Sequence, residues 1–316
     1  MKKKFNVKRF FKRIGVVAWV TIMLLPVFSF SDASTADRPK TFSSSKEATE
    51  ALIKALEAND TKALLQIFAP NGKNLTESGD LTEDAQSRAR FIELAHKKTT
   101  LVPDPSDPTK IFISIGDEDW PFPVPLTQKN GRWMFDSFEG EKESLSRYIG
   151  VHELIAIEIC RGYVEAQNQY AQTHLHKGIP EYAQKLVSSS SLQDGLYWEV
   201  KNGELPSPVP ADFAKAAYDM KPGERTPYHG YYFRILTAQG PDAQGGAKNY
   251  IVDGAMTAGF ALVAWPSEYG GTGVQTLIVN QDGTVYQSNL GTETDKIVPN
   301  LTQFNPDSSW TEFKPE

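Results

Sequence analysis

Twice along this chain a helical spacing of apolar residues gives way to strand-like runs, the first of them with a spacing of two, and that double switch is its strongest constraint. A helix buries a stripe and a strand buries a face, so each switch asks for helices laid against a sheet. In the first, Ser44-x-x-Glu47 has the form of a capping box, and Ala48, Leu52, Ile53 and Leu56 supply an apolar stripe. Asn59-Asp60 ends that helix. Asp60 caps a second one through Leu64, Leu65, Ile67 and Phe68, which Pro70-Asn71-Gly72 stops. A third follows Thr82, with Ala85, Ala89, Ile92 and Ala95 on one side. Beyond Pro103-Asp104-Pro105, Ile111, Ile113 and Ile115 alternate with Phe112 and Ser114 as a strand. Strands at 124–128 and 132–135 flank Asn130-Gly131, a strong hairpin signal.

The second switch begins with Ile149, His152, Ala156, Ile159, Tyr163, Ala166 and Tyr170, spaced by threes and fours. They predict a helix over 152–172, about 31 Å long at 1.5 Å per residue. Gly178-Ile179-Pro180 breaks it, and a short extra turn is expected at 181–186. After a short helix at 211–218 the rest reads as strands at 230–237, 250–253, 261–265, 275–280 and 284–287, with Asp282-Gly283 as a tight turn between the last two. The fold class is therefore α+β. A length of 316 residues suits two domains, expected at 46–140 and 141–316 behind a polar linker at 37–45.

The first 36 residues read as an address. Lys2, Lys3, Lys4, Lys8, Arg9, Lys12 and Arg13 precede an apolar stretch at 14–30, and Ala33 and Ala36 close two small-residue cleavage motifs. The 17 apolar-rich residues fall short of the ~20 a spanning helix needs. Export with cleavage near Ala33 or Ala36 is the expectation, giving a periplasmic or secreted protein; the alternative is an uncleaved inner-membrane anchor. Loss of this segment takes the formal charge from −6 to −12, which argues against nucleic acid and anionic membrane surfaces as partners. The lone Cys160 excludes an internal disulfide and a cysteine-cluster metal site, and its apolar neighbours suggest a buried thiol.

Catalytic constellations fail one by one. His152-Glu153 begins like a zinc-protease motif, but Ala156 stands where the second histidine belongs. Ser43-x-x-Lys46 falls at a helix cap, and Cys160 lies about 12 Å from His152 along a helix. His174-x-His176 reads as a solvated helix end. Asp117-Glu118-Asp119 before Trp120-Pro121 reads as a polar turn rather than a calcium loop, which needs a mid-loop glycine. No cofactor and no metal is expected. The better lead is aromatic: Tyr197, Trp198, Tyr231, Tyr232, Trp265 and Tyr269 flank turns, where rings can form a platform for a sugar or a protein, or seal the sheet against its helix.

Several blocks resemble a family of secreted bacterial proteins known as domain of unknown function 2950. They are Asp119-Trp120-Pro121-Phe122-Pro123, the run 194–198, His229-Gly230-Tyr231-Tyr232-Phe233-Arg234, the run 259–266 and Tyr269-Gly270-Gly271-Thr272-Gly273-Val274, together spanning about 45–310. The chain departs from the family pattern at Tyr148, Val151 and His152, where Arg, Arg and Asn are expected, and at Ser190-Ser191, where Pro-Gly is. The resemblance implies no activity. Three helices before a short meander ending in Trp133-Met134-Phe135 also resemble a reduced NTF2-like or cystatin-like domain. The helix ending Ala166-Gln167-Asn168-Gln169-Tyr170, with the later run 260–286, resembles the globular part of type IV pilins and pseudopilins. An exported, non-enzymatic envelope binding or assembly protein is the function these readings favour, with an envelope protein or a glycan as partner. The alternative is a periplasmic enzyme or small-ligand binder with a pocket in the first half or in the interdomain cleft around Asp117, Asp119 and Trp120.

Overall fold

The Ser44 cap forms, though the box closes one residue early. The Ser44 hydroxyl accepts the Glu47 amide at 3.1 Å, while the Glu47 carboxylate takes the Ser43 amide at 2.8 Å. That pair starts α1 (Ser45–Glu57), and the Asp60 side chain, accepting from Ala63 N at 3.0 Å, starts α2 (Thr61–Ile67). The expected stop at Gly72 instead opens one more turn, α3 (Gly72–Thr76), before α4 (Leu81–Lys97). The computed structural model describes residues 38–77, 81–190, 192–200, 205–217 and 226–314, so the expected leader at 1–36 lies outside the described residues.

An antiparallel sheet follows, made of β1 (Thr99–Pro103), β2 (Lys110–Ile115), β3 (Trp120–Pro121), β4 (Leu126–Lys129) and β5 (Arg132–Phe135), in the order β1-β2-β4-β5 with β3 also on β2. Asn130 and Gly131 take φ of 52° and 75°, closing the two-residue β4–β5 hairpin as expected. The strand expected from 124 starts only at Leu126, because Pro123 and Pro125 have no amide to donate. Phe42, inside the expected linker, is 2% exposed and pairs both backbone groups with Trp133, at 2.8 and 2.9 Å. Leu52, Leu64, Ile67, Phe91, Ile113 and Phe135 meet in the core of this half.

Helix α5 (Ser137–Ala171) is 35 residues, about 52 Å long. It starts at Ser137, 15 residues before the expected 152, behind Asp136, whose carboxylate accepts Glu139 N at 3.0 Å. Its first turns were hidden because they pack through small residues: a Cβ on Gly140 would sit 2.7 Å from a methyl of Val124. The chain divides into two compact units between Tyr148 and Ile149, within α5.

In the second unit, α5 leads to hairpin β6 (Leu175–His176)/β7 (Ile179–Pro180), then α6 (Ala211–Ala214) and β8 (Tyr231–Leu236). Next come β9 (Ala238–Gln239), β10 (Lys248–Asn249), hairpin β11 (Ile251–Val252)/β12 (Ala255–Met256), β13 (Ala261–Pro266), β14 (Thr276–Asn280), β15 (Val285–Ser288), α7 (Thr294–Ile297) and β16 (Thr311–Glu312). The main sheet is antiparallel in the order β16-β15-β14-β13-β8. Every residue of β13 and β14 is buried, which is why they read as continuous apolar runs. The Tyr163 hydroxyl of α5 donates to Ala261 O at 3.1 Å on one side. Arg234 donates to the carbonyls of Val298 (2.7 Å), Pro299 (3.3 Å) and Leu301 (2.7 Å). The expected Asp282-Gly283 turn is a four-residue loop, 281–284, in which Asn280 accepts the Asp282 amide at 3.2 Å.

The helical turn expected at 181–186 does not form. Tyr182 N instead donates to Met256 O at 2.8 Å, and the buried Gln167 side chain grips both backbone groups of Ala183, each at 2.8 Å. Tertiary partners override local propensity there. No helix of the described residues is long and apolar enough to cross a membrane.

Candidate functional site

The six rings of the sheet half do not share one environment. Tyr231 is fully buried, its hydroxyl donating to Gln275 O at 2.9 Å, and its ring lies so close to Gly273 that a Cβ there would overlap it. Trp265 is 2% exposed, and Trp198, 7% exposed, donates its indole N–H to Leu205 O at 3.0 Å. A ring with no open face cannot receive a partner, so these three serve the core. Tyr197, Tyr232 and Tyr269 are half-buried on three different segments: Tyr232 packs 6.0 Å from Trp265, and the Tyr269 hydroxyl donates to Asn289 Oδ1 at 3.0 Å.

Asp117 and Asp119 lie in the turn 116–119 that joins β2 to β3. Lys98 Nζ stands 2.7 Å from Asp119 Oδ1, and that bond holds the carboxyl below its usual range. Trp120 is half-buried beneath the Arg147 guanidinium, 5.5 Å from the ring centroid. The His174 imidazole stacks on Tyr170 at 3.7 Å. Among the described residues, no group of three His, Cys, Asp or Glu is placed to hold a metal ion. Cys160 is buried, and burial pushes its thiol pKa up.

Sequence reasoning missed a clasp built on His152 and Glu153. One Glu153 carboxylate oxygen accepts the amides of Val274 and Gln275, at 2.8 and 3.0 Å, and so fixes the loop 267–275 to α5. Next to it the His152 ring fills the space beside Gly230, where a Cβ would overlap it and stand 2.8 Å from Thr272 Cβ. The Thr272 hydroxyl donates to Gly230 O at 2.8 Å, closing the arrangement. His229 and Gly230 take φ of 47° and 73°, and this left-handed pair lets the chain turn against the imidazole. Burial, reinforced by the neighbouring His229, pushes the His152 pKa down to about 4, and burial also lowers that of His229. Both rings are therefore neutral at pH 7, so the site offers no standing positive charge. The only hint in the sequence was the His-Glu pair itself. Glu153→Ala leaves two loop amides without their acceptor, at an expected cost of about 2 kcal/mol, and a urea titration of the variant measures it.

Two hairpins make the other distinctive feature of this unit. Lys177-Gly178 and Asp253-Gly254 both turn with positive φ (49° and 81°, 53° and 83°), closing β6–β7 and β11–β12. The two turns are tied tip to tip by Lys177 Nζ and Asp253 Oδ2 at 2.9 Å, and by Gln184 Nε2 donating to Gly254 O at 3.0 Å. Around them Leu175, Ile179 and Val252 remain 61%, 54% and 48% exposed.

Each unit also carries a hollow among its described residues. In the first unit a cavity of about 30 Å³ lies between Leu56, Phe68, Leu75, Phe122, Asp84 and Arg88, room for about one water. In the second an open cleft of about 460 Å³ is lined by Thr237, Gln239, Lys248, Asn249, Thr302 and Gln303, among others.

These features define a two-unit α+β protein, with one core in each unit and its most distinctive surfaces on the second. The chain belongs to the family described as Protein of unknown function (DUF2950), whose model matches residues 39–313. No curated protein and no solved structure matches it.

Proposed function

We propose that this is an exported, non-enzymatic binding or assembly protein of the cell envelope, acting through the unit at 149–316. The observation that carries the reading is the pair of tied hairpins with Leu175, Ile179 and Val252 exposed. Held at both tips, they present apolar side chains on a braced ribbon, which lowers the ordering cost of association. The basic-then-apolar N-terminus and the charge of −12 after its removal support export and disfavour nucleic acid. In this reading the first unit is a reduced NTF2-like or cystatin-like domain, and the second a pilin-like helix and sheet.

Ile179→Asp and Val252→Asp test the proposal. Both side chains are exposed, so each change costs within about 0.5 kcal/mol of stability. Affinity capture of the mature chain from the envelope of the producing cell, after crosslinking, is expected to recover a specific partner that both variants lose. Equal recovery by variants and wild type would count against it.

A further inference from the structure

The cleft beside β9 and β10 has the chemistry of a site and a frame built to hold it still. Gln239 forms its floor. It is 1% exposed and fully engaged: Nε2 donates to the carbonyls of Gln244 (2.9 Å) and Gly246 (2.7 Å), and Oε1 accepts the Tyr250 hydroxyl at 2.9 Å. That one side chain pins the loop 240–246, whose Gly245 and Gly246 both take positive φ. The loop is clamped again by Asn305, which accepts the Asp242 amide at 2.9 Å and donates to the Asp242 carboxylate at 2.8 Å. Phe304 adds a parallel bridge to Gln239, with its amide on Ala238 O at 2.9 Å. The loop so fastened joins β9 to β10, whose residues line the cleft, and a braced connection leaves little to be ordered when a ligand enters.

The lining selects the ligand by what it offers. Thr237, Lys248, Thr302 and Gln303 face the cleft, and their side chains make no hydrogen bond with any of the described residues. Two hydroxyls and a carboxamide thus stand beside Asn249, whose Oδ1 accepts the Ile251 amide at 2.9 Å, and the lining has no apolar side chain larger than those of Ala238 and Ala247. That disfavours a lipid or an aromatic ligand. The lining has no carboxylate although the chain carries 39 acidic side chains, which disfavours a metal ion or a cationic ligand. The single cation, Lys248, lies 5.5 Å over the Tyr250 ring.

We propose that this cleft binds a saccharide of one or two rings, held by the Thr237, Asn249, Thr302 and Gln303 side chains with Lys248 at the edge. A volume of about 460 Å³ falls within the range of small-ligand sites, and the two unengaged hydroxyls of Thr237 and Thr302 with the Gln303 carboxamide match a ligand that is mostly hydroxyl. The proposal uses residues other than those of the tied hairpins and stands apart from the envelope-partner reading.

Saturation-transfer NMR of the mature protein with cellobiose, maltose and the β-1,4 disaccharide of N-acetylglucosamine tests it. At least one should give a saturable signal. Thr302→Trp, which fills the cleft from an exposed position, should abolish it, and Gln303→Ala should weaken binding about tenfold. Ile179→Asp should leave it unchanged. No saturable signal from any of the three up to its solubility limit, or a signal indifferent to Thr302→Trp in a variant with the wild-type melting temperature, would overturn the proposal. Loss of saccharide binding with the captured partner retained separates its failure from that of the hairpin reading.

Discussion

Gln167→Leu lowers the unfolding free energy of the second unit by about 3–5 kcal/mol, from two or three buried groups left unsatisfied at ~1–3 kcal/mol each. Gln167 is fully buried on α5, and the substitution nearly keeps its volume, so packing changes little. What is lost is a reciprocal clip: Nε2 to Ala183 O and Ala183 N to Oε1, each 2.8 Å, with a further bond from Nε2 to the Tyr163 hydroxyl at 2.9 Å. Leucine leaves the Ala183 amide and carbonyl buried without partners. The segment 181–187, which has no helix or long strand of its own, then loses its tie to α5. Tyr163→Phe removes a single hydroxyl and should cost only about 1 kcal/mol. Urea unfolding of both variants measures this; a Gln167→Leu midpoint equal to wild type would mean that the segment is held by other contacts.

The clasp at His152 gives the second large effect. Its pKa is pushed down to about 4 from 6.5, so the folded unit keeps this ring neutral while the unfolded chain takes a proton below about pH 6.5. The sign follows: the contribution is unchanged above pH 6.5, stability is lost as pH falls from 6.5 towards 4, and the loss levels off below. At ~1.4 kcal/mol per pH unit, reduced for the partly open side of the ring, it amounts to about 2–3 kcal/mol. Burial of His229 adds in the same direction. The carboxylates with lowered pKa, Asp104, Asp107, Asp119 and Asp307 among them, act in a separate window, losing their contribution only as they protonate below their usual range. His152→Asn removes the titrating ring. It should therefore flatten the profile between about pH 6.5 and 4.5. Unfolding free energies at those two pH values for wild type and variant make the test, and a wild-type profile already flat would contradict the neutral, packed imidazole.

Where local chemistry decides, the sequence was enough to find the element. Ser44 and Asp60 start their helices, Asn130-Gly131 closes its hairpin, and Ala261–Pro266 and Thr276–Asn280, close to the expected bounds, are strands buried throughout. Where a distant partner decides, it was not. β1 is a mostly exposed edge strand without alternation, legible only beside β2. The early turns of α5 bury Ser137, Gly140 and Ser144, which leave no apolar stripe. The site followed the same rule. Six aromatic residues stood out in the sequence, but whether a ring is sealed, as in Tyr231, or half open, as in Tyr269, depends on groups far along the chain. Glu153 meets its amides 121 and 122 residues away, and Lys177 meets Asp253 across 76, so neither the clasp nor the tied hairpins had a local signature.

The most direct test of the binding proposal is a photo-crosslinking amino acid placed singly at Ile179, at Val252 and, as a control on the first unit, at the exposed Val102. Irradiation in the producing cell should yield one discrete adduct from Ile179 and Val252 and none from Val102. Absence of an adduct at both hairpin positions, or the same adduct from Val102, would contradict a partner held by the tied hairpins.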